Sequence, residues 1–358
     1  MNAKTKLGIA AGIIALVAIA NYVALLGSSV AQDNDAAPID QDRITTNVLR
    51  IGYFPNVNHA QAVIGIGRGD FQRAMGDVEM KTQVFNAGPS AIEALFANQI
   101  DATYIGPNPA INGYVRSEGG LRIVAGAASG GAIFLVRNDV GIESAEDFAG
   151  KRFGSPQLGN TQDVALRAYL LENGYKTTEN GGNVDVLPAK NSDILTLLLE
   201  KEIDGAWVAE PWGAKFLKEA NTRIFLDERD LWSEGRFVTA HLIVRASYLE
   251  NNPGVIKKLL AAHVDETTWI NEHKDEALSA LNAEIAKLTG QTIPEDELND
   301  AFSRLDITYD PVKESLIKSA DAAYDLGFLG EERPNLSGIY DLTLLNEVLK
   351  EKGLATIP

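Results

Sequence analysis

Short apolar runs alternate with amphipathic stretches along most of this chain. VLRIGYF (48–54) reads as a strand and is followed by the helix-period segment HAQAVIGIGRGDF (59–71). VEMKTQVF (78–85) leads into PSAIEALFANQ (89–99), where Ser90 and Glu93 have the S-x-x-E spacing of a helix-opening capping box. IDATYIG (100–106) and LRIVAGAA (121–128) are again strand-like. A β-then-α rhythm of this kind predicts parallel strands joined by crossover helices, an α/β architecture.

The same pattern is written twice. ALFANQIDATYIGPNPAI (94–111) is answered by LLLEKEIDGAWVAEPWGA (197–214), each a helix end, an Ile-Asp step, a short apolar strand and a proline-bearing loop. AIFLVRNDV (132–140) is answered by AHLIVRASY (240–248), both of the form Ala-x-x-x-Val-Arg. The offset of about one hundred residues is too long for a solenoid repeat and fits two similar lobes. The chain is therefore expected to build lobe 1 from residues 47–130, cross to lobe 2 over 131–240, and cross back into lobe 1 for 241–358. Amphipathic stretches at 251–290, 311–329 and 341–353 are expected to pack as helices on lobe 1.

The N-terminus departs from this rhythm. Lys4 and Lys6 precede an apolar run, 7–27, that ends in the small residues Ser28, Ser29, Val30 and Ala31. That order is an export signal, cleavable after Ala31, while a run of about 20 residues also suffices for an uncleaved membrane anchor. Either reading puts the body outside the cytoplasm, in the periplasm or at the cell surface. Residues 32–46 are acidic and lack aromatics, as a flexible tether would.

Composition narrows the chemistry. The net charge is −17, which disfavours a nucleic-acid surface, since that binding needs clustered Lys and Arg. There is no cysteine, so disulfides, thiolate metal sites and a lipoprotein anchor all drop out. The four histidines stand at no metal-ligand spacing, no calcium loop or G-x-S-x-G elbow is present, and no metal, cofactor or catalytic residue is expected. His263 and His273 fall on charged helices and read as surface residues. GSPQLGNT (154–161) has P-loop spacing, but Asn160 stands where the phosphate-gripping lysine belongs, so nucleotide hydrolysis is not supported.

Five segments, LRIGYFPNVNHAQAVIG, NAGPSAIEALFANQIDATYIGPNPAI, FGSPQLGNTQDVALRAYLLENG, AEPWGAKF and VRASYLENNPGVI, resemble in order the substrate-binding proteins of ABC importers for nitrate, sulfonates, taurine and bicarbonate. The resemblance spans about residues 47–350. It implies a two-lobe, class II periplasmic-binding-protein fold with two parallel-core sheets joined by two hinge crossings. It also implies a non-enzymatic receptor that takes a small anion into the interlobe cleft and delivers it to a permease with a cytoplasmic ATPase. The alternative is a binding protein or enzyme for a thiamine-pyrimidine-type precursor on the same fold; an enzyme would need a nucleophile or base in the cleft, for which only His59 and Glu210 qualify.

In open α/β sheets ligands sit where strands lead into helix N-termini. Five such turns supply the candidate ligand-binding residues. The first holds Asn56, His59 and Gln61, with Asn58 as an ordinary cap. In the second, Gly88 allows close approach and Pro89 opens the helix, while Ser90 caps it. The third is stiffened by prolines and presents Asn108. The fourth is the P-loop-like turn, where Gly159, Asn160, Thr161 and Gln162 would offer neutral donors at a helix N-terminus and Gln157 would close over them. The fifth holds Trp212 as a cleft wall and Glu210, facing an amine on the ligand or closing the lobes. Ser129 and Gly130 mark the first crossing, with Thr239 and His241 near the second as weaker candidates.

Overall fold

The computed structural model describes residues 43–358. The expected export segment and the tether up to residue 42 lie outside the described residues. The first lobe opens with β1 (Val48–Tyr53), a short 3-10 turn at Val57–His59, α1 (Ala60–Gly67), α2 (Asp70–Met75), β2 (Glu79–Val84), α3 (Gly88–Phe96), β3 (Ala102–Ile105), α4 (Pro107–Arg116) and β4 (Leu121–Gly130). The second follows with β5 (Ala132–Arg137), β6 (Arg152–Pro156), α5 (Thr161–Glu172), β7 (Asp185–Ala189), α6 (Asn191–Leu199), β8 (Gly205–Ala209), α7 (Trp212–Glu219) and β9 (Thr222–Asp227). The chain then returns through β10 (Val238–Arg245), α8 (Ala246–Asn251), α9 (Pro253–Glu272), α10 (Lys274–Thr289), α11 (Glu295–Phe302), β11 (Leu305–Ile307), α12 (Lys313–Asp325) and α13 (Thr343–Glu351).

Two mixed sheets result, ordered β11-β4-β10-β3-β1-β2 and β7-β6-β8-β5-β9. Each has a parallel core, β2-β1-β3 and β7-β6-β8, because these strands are joined by right-sized helical crossovers. The strands that carry the chain between lobes, β5 and β10, run antiparallel to their neighbours. Strand alternation sorts the side chains onto the two faces. Along β5, Ile133 and Leu135 join one apolar cluster while Phe134 and Val136 join the other, beside Phe148, Phe153 and Trp207.

At the first crossing Gly130 and Gly131 both have positive φ, +77° and +76°, a backbone that side chains with a Cβ rarely adopt. The second crossing enters β10, whose Val238 pairs with Ser129 at the end of β4, so the two connections lie side by side. The C-terminal helices do more than cover the first lobe. The pair α9 and α10 packs on α1, while α11 packs on α7 of the second lobe and α12 lies against both α4 and α5. Ser90 sits inside the first turn of α3 and donates to the Ala87 carbonyl (2.8 Å); the N-cap is Ala87, so the expected capping box is not formed. His263 is fully buried, its Nδ1 2.8 Å from the Tyr104 hydroxyl and its Nε2 2.8 Å from the Gly126 carbonyl oxygen, which corrects its assignment to the surface.

Candidate functional site

The carboxyl ends of both sheets face each other across a cavity. Its walls come from the β1–α1 turn (Phe54, Asn56, Asn58, His59), the approach to α3 (Asn86, Ala87), Gly106 before α4, the start of α5 (Asn160, Thr161, Gln162), Asn191 at the start of α6, and Pro156, Ala209 and Thr239. Helices α3, α4, α5 and α6 all begin at this wall, and none has a side chain capping its N-terminus. In α5 the first intrahelical bond runs from Val164 N–H to the Asn160 carbonyl (3.1 Å), which leaves the amides of Thr161, Gln162 and Asp163 over. Four helix dipoles thus turn their positive ends toward one space.

Among the described residues no charged side chain lines that space. His59 is fully buried, and burial pushes its pKa down to about 3, so the ring is neutral at physiological pH. Its Nδ1 accepts the Phe54 amide at 3.4 Å, which places the proton on Nε2 and makes the ring a donor. Three side-chain oxygens on the wall have no hydrogen-bond partner: Asn58 Oδ1, Thr161 Oγ1 and Asn191 Oδ1. Asn58 and Thr161 are only 4 % and 5 % exposed. Buried polar atoms left unpaired cost free energy; the Thr161 hydroxyl can donate to an anion, whereas the two amide oxygens only accept and are paired only by a ligand that carries an O–H, as bicarbonate does.

The lobes touch around the cavity. A Cβ on Gly106 would lie 2.4 Å from Thr161 Oγ1, so glycine is what lets the α4 turn approach α5 across the interface. The space left open to the centre of a water-sized body is about 30 Å³. A single water needs roughly 10–15 Å³ by that measure, so the cavity suits an anion of a few heavy atoms.

Of the residues expected from sequence, Asn56, His59, Asn160, Thr161 and Gln162 meet at this wall. The others are placed elsewhere. Gln61 is buried behind the site, donating to the Ala127 carbonyl (2.8 Å) and Thr267 (3.2 Å). Gly88 packs on Pro109, and Pro89 faces a separate groove with Phe96 and Leu158. Asn108 donates to the Ser319 carbonyl at 3.3 Å. Ser129 accepts the Phe237 amide at 3.3 Å, tying the two crossings together. Gln157 is exposed, and the Gly159 amide is taken by the Asp163 carboxylate at 2.9 Å, so the cradle starts one residue later than the P-loop spacing implies. Asp163 is itself neutralised by Arg167 at 3.1 Å. Trp212 packs against Phe216. Glu210, fully buried, accepts from Arg304 Nη1 at 2.6 Å and from the Ala214 amide at 2.9 Å. Arg304 lies between α11 and β11, so this pair joins the second lobe to the returning chain.

Thr239, a weaker candidate from sequence, also lines the wall; Asn86, Gly106 and Asn191 carried no expectation, and Asn58 was expected only as a cap. Asn191 carried a usable signal, since AKNSD (189–193) is a strand-to-helix turn of the same kind as the other five.

Fold and site together give a two-lobe α/β chain of the periplasmic-binding-protein fold, with a cavity at the lobe interface. Residues 42–287 match the sequence profile of the NMT1-like family, and the chain belongs to that family. It is 27 % identical over 215 residues to a Brucella abortus protein described as a binding protein, covering 60 % of this chain and 64 % of that one. The chain thus spans under two thirds of the length of that relative. The fold is shared with the periplasmic aliphatic sulphonate-binding protein SsuA of Escherichia coli (TM-score 0.67, 19 % identity, 83 % of this chain and 92 % of that one). It is shared equally with the periplasmic nitrate-binding protein NrtA of Synechocystis PCC 6803 (TM-score 0.68, 16 % identity, 86 % and 89 %).

Proposed function

We propose that this protein is the extracytoplasmic solute-binding component of an ABC import system, and that its cargo is a small oxyanion of about the size of nitrate or bicarbonate. The observation that carries the reading is the cavity in which four uncapped helix N-termini converge with no charged side chain on the wall. Backbone dipoles and neutral donors hold an anion without the lysine or metal that phosphoryl transfer needs, and such a grip is reversible, as delivery to a permease and its ATPase requires. The cavity volume favours a compact anion over a sulfonate with a long tail. The sulphonate- and nitrate-binding proteins that share the fold support the same class of cargo.

The reading of an enzyme for a thiamine-pyrimidine precursor requires His59 and Glu210 to work as a pair. Glu210 is engaged with Arg304 and the Ala214 amide, away from the cavity wall, and neutral His59 is a poor base near pH 7. A thermal-shift panel decides between cargoes, because a ligand that binds only the folded state raises its melting temperature. Nitrate or bicarbonate is expected to give the largest rise, ahead of taurine, hexanesulfonate and the thiamine pyrimidine. A larger rise with the pyrimidine would reverse the assignment.

A further inference from the structure

A second cavity, of about 400 Å³, lies on the far side of Thr161 and runs along α5 between α12 and the segment after β9. Its walls are aromatic, with Tyr169, Trp207 and Trp232, and acidic, with Glu172, Glu228, Asp321 and Asp325. Asp321 is paired with Arg333; Glu172, Glu228 and Asp325 take part in no ion pair among the described residues. Glu228 is the informative one. It is 3 % exposed, and its Oε2 accepts the indole N–H of Trp207 at 2.8 Å. A carboxylate held this deep outside any ion pair is costly, and burial pushes its pKa up to about 7 against the weaker opposing pull of the Lys318 ammonium on the same wall. The buried hydroxyl of Thr161, 5 % exposed and without a partner, closes the inner end.

Among the described residues Lys318 is the one cation on this wall, and its place shows how an ammonium sits against these aromatic walls. Lys318 sets its ammonium 4.6 Å from the centroid of the Trp232 ring and donates to the Leu231 carbonyl at 3.0 Å. An alkylammonium on an indole face beside unpaired carboxylates is the arrangement that recognises organic cations. We infer that this second cavity is a binding site for a small organic ammonium with a flat apolar body, with Glu228 as counter-ion and the aromatic side chains as walls. The site shares Thr161 with the oxyanion cavity but does not rest on the import reading built on that cavity. Its walls come from both lobes, Lys318 and Asp325 from α12 on one side and Trp207, Glu228 and Trp232 on the other.

The test is titration calorimetry and tryptophan fluorescence with 2-phenylethylammonium chloride, with 2-phenylethanol as the neutral isostere. The expected result is saturable binding of the ammonium with a change in tryptophan emission, at least tenfold tighter than the alcohol. Glu228→Gln should weaken it at least tenfold, and Trp232→Leu, half-buried and on a separate side chain, should do the same. Asn191→Ala, which lines only the oxyanion cavity, should leave it unchanged. Absence of saturable binding to the wild type, equal binding of the alcohol, or unaltered affinity in either Glu228→Gln or Trp232→Leu overturns the inference. Nitrate titrated into the same samples reads the other cavity separately.

Discussion

At the scale of single residues, the unpaired oxygens on the cavity wall are the clearest handles. If the Thr161 hydroxyl donates to bicarbonate and Asn58 Oδ1 accepts its O–H, Thr161→Ala and Asn58→Ala should each lose one hydrogen bond to bicarbonate, about 1–1.5 kcal/mol or roughly five- to tenfold in Kd. Calorimetry with unchanged affinity in both variants would remove these side chains from the site. Glu228 gives a prediction about stability instead. The unfolded chain sheds this proton near its ordinary value of 4.5, while the folded protein keeps it to about 7. Rising pH through that window therefore withdraws stability from the wild type, and Glu228→Gln, which cannot ionise, does not share the loss. Urea denaturation should show the variant gaining on the wild type from pH 4.5 to 7, with a constant difference above; a difference independent of pH would contradict the assignment. Residue identity in the site was half legible. Thr161 and His59 were legible because side chains at strand-to-helix turns lie at the carboxyl ends of the sheets, but nothing in the sequence said that Asp163 would fold back and take the Gly159 amide, or that Asn58 would be left unpaired.

At the scale of elements, what sets the geometry is the close approach of helix starts from opposite lobes. Gly106 has φ −71° and ψ 161°, a backbone that alanine adopts freely, so Gly106→Ala should fold normally. Its methyl would meet Thr161 Oγ1 at 2.4 Å and prop the lobes apart. The expected outcome is a wild-type far-UV spectrum with at least tenfold weaker anion binding and a larger radius of gyration in the presence of ligand by X-ray scattering. Native affinity would show that closure does not pass through this contact. Strands and helices were readable from periodicity because the buried strands are continuous apolar runs, as β3, β5 and β8 are. The capping box at Ser90 failed for a local reason: Pro89 and Gly88 started the helix two residues earlier, which put Ser90 within the first turn, its hydroxyl bonded back to Ala87.

At the scale of the whole molecule, the repeated Ile-Asp-strand-proline pattern foretold two lobes, and the two mixed sheets show them. The pattern carried no information about the bridging role of α11 and α12, because an amphipathic helix shows which face is apolar and not which neighbour covers it. The Glu210–Arg304 pair is the chemical tie at that junction, with Glu210 fully buried. Removing one partner from a buried pair leaves the other uncompensated, so Arg304→Ala should destabilise by about 3–5 kcal/mol. A shift in the urea midpoint too small for 1 kcal/mol would show the tie to be dispensable.

The central claim is that an anion is held here by uncharged groups alone. Nitrate remains a monoanion at all accessible pH, so any pH dependence of its binding reports on the protein. Calorimetric titration of nitrate from pH 5.5 to 8.5 should give a Kd constant within about twofold, since burial holds His59 neutral, with a pKa of about 3, throughout that range. A Kd that rises tenfold as the pH passes 6.5, and does so equally in Glu228→Gln, where the carboxyl that titrates at about 7 is gone, would reveal an imidazolium in the grip and contradict this reading.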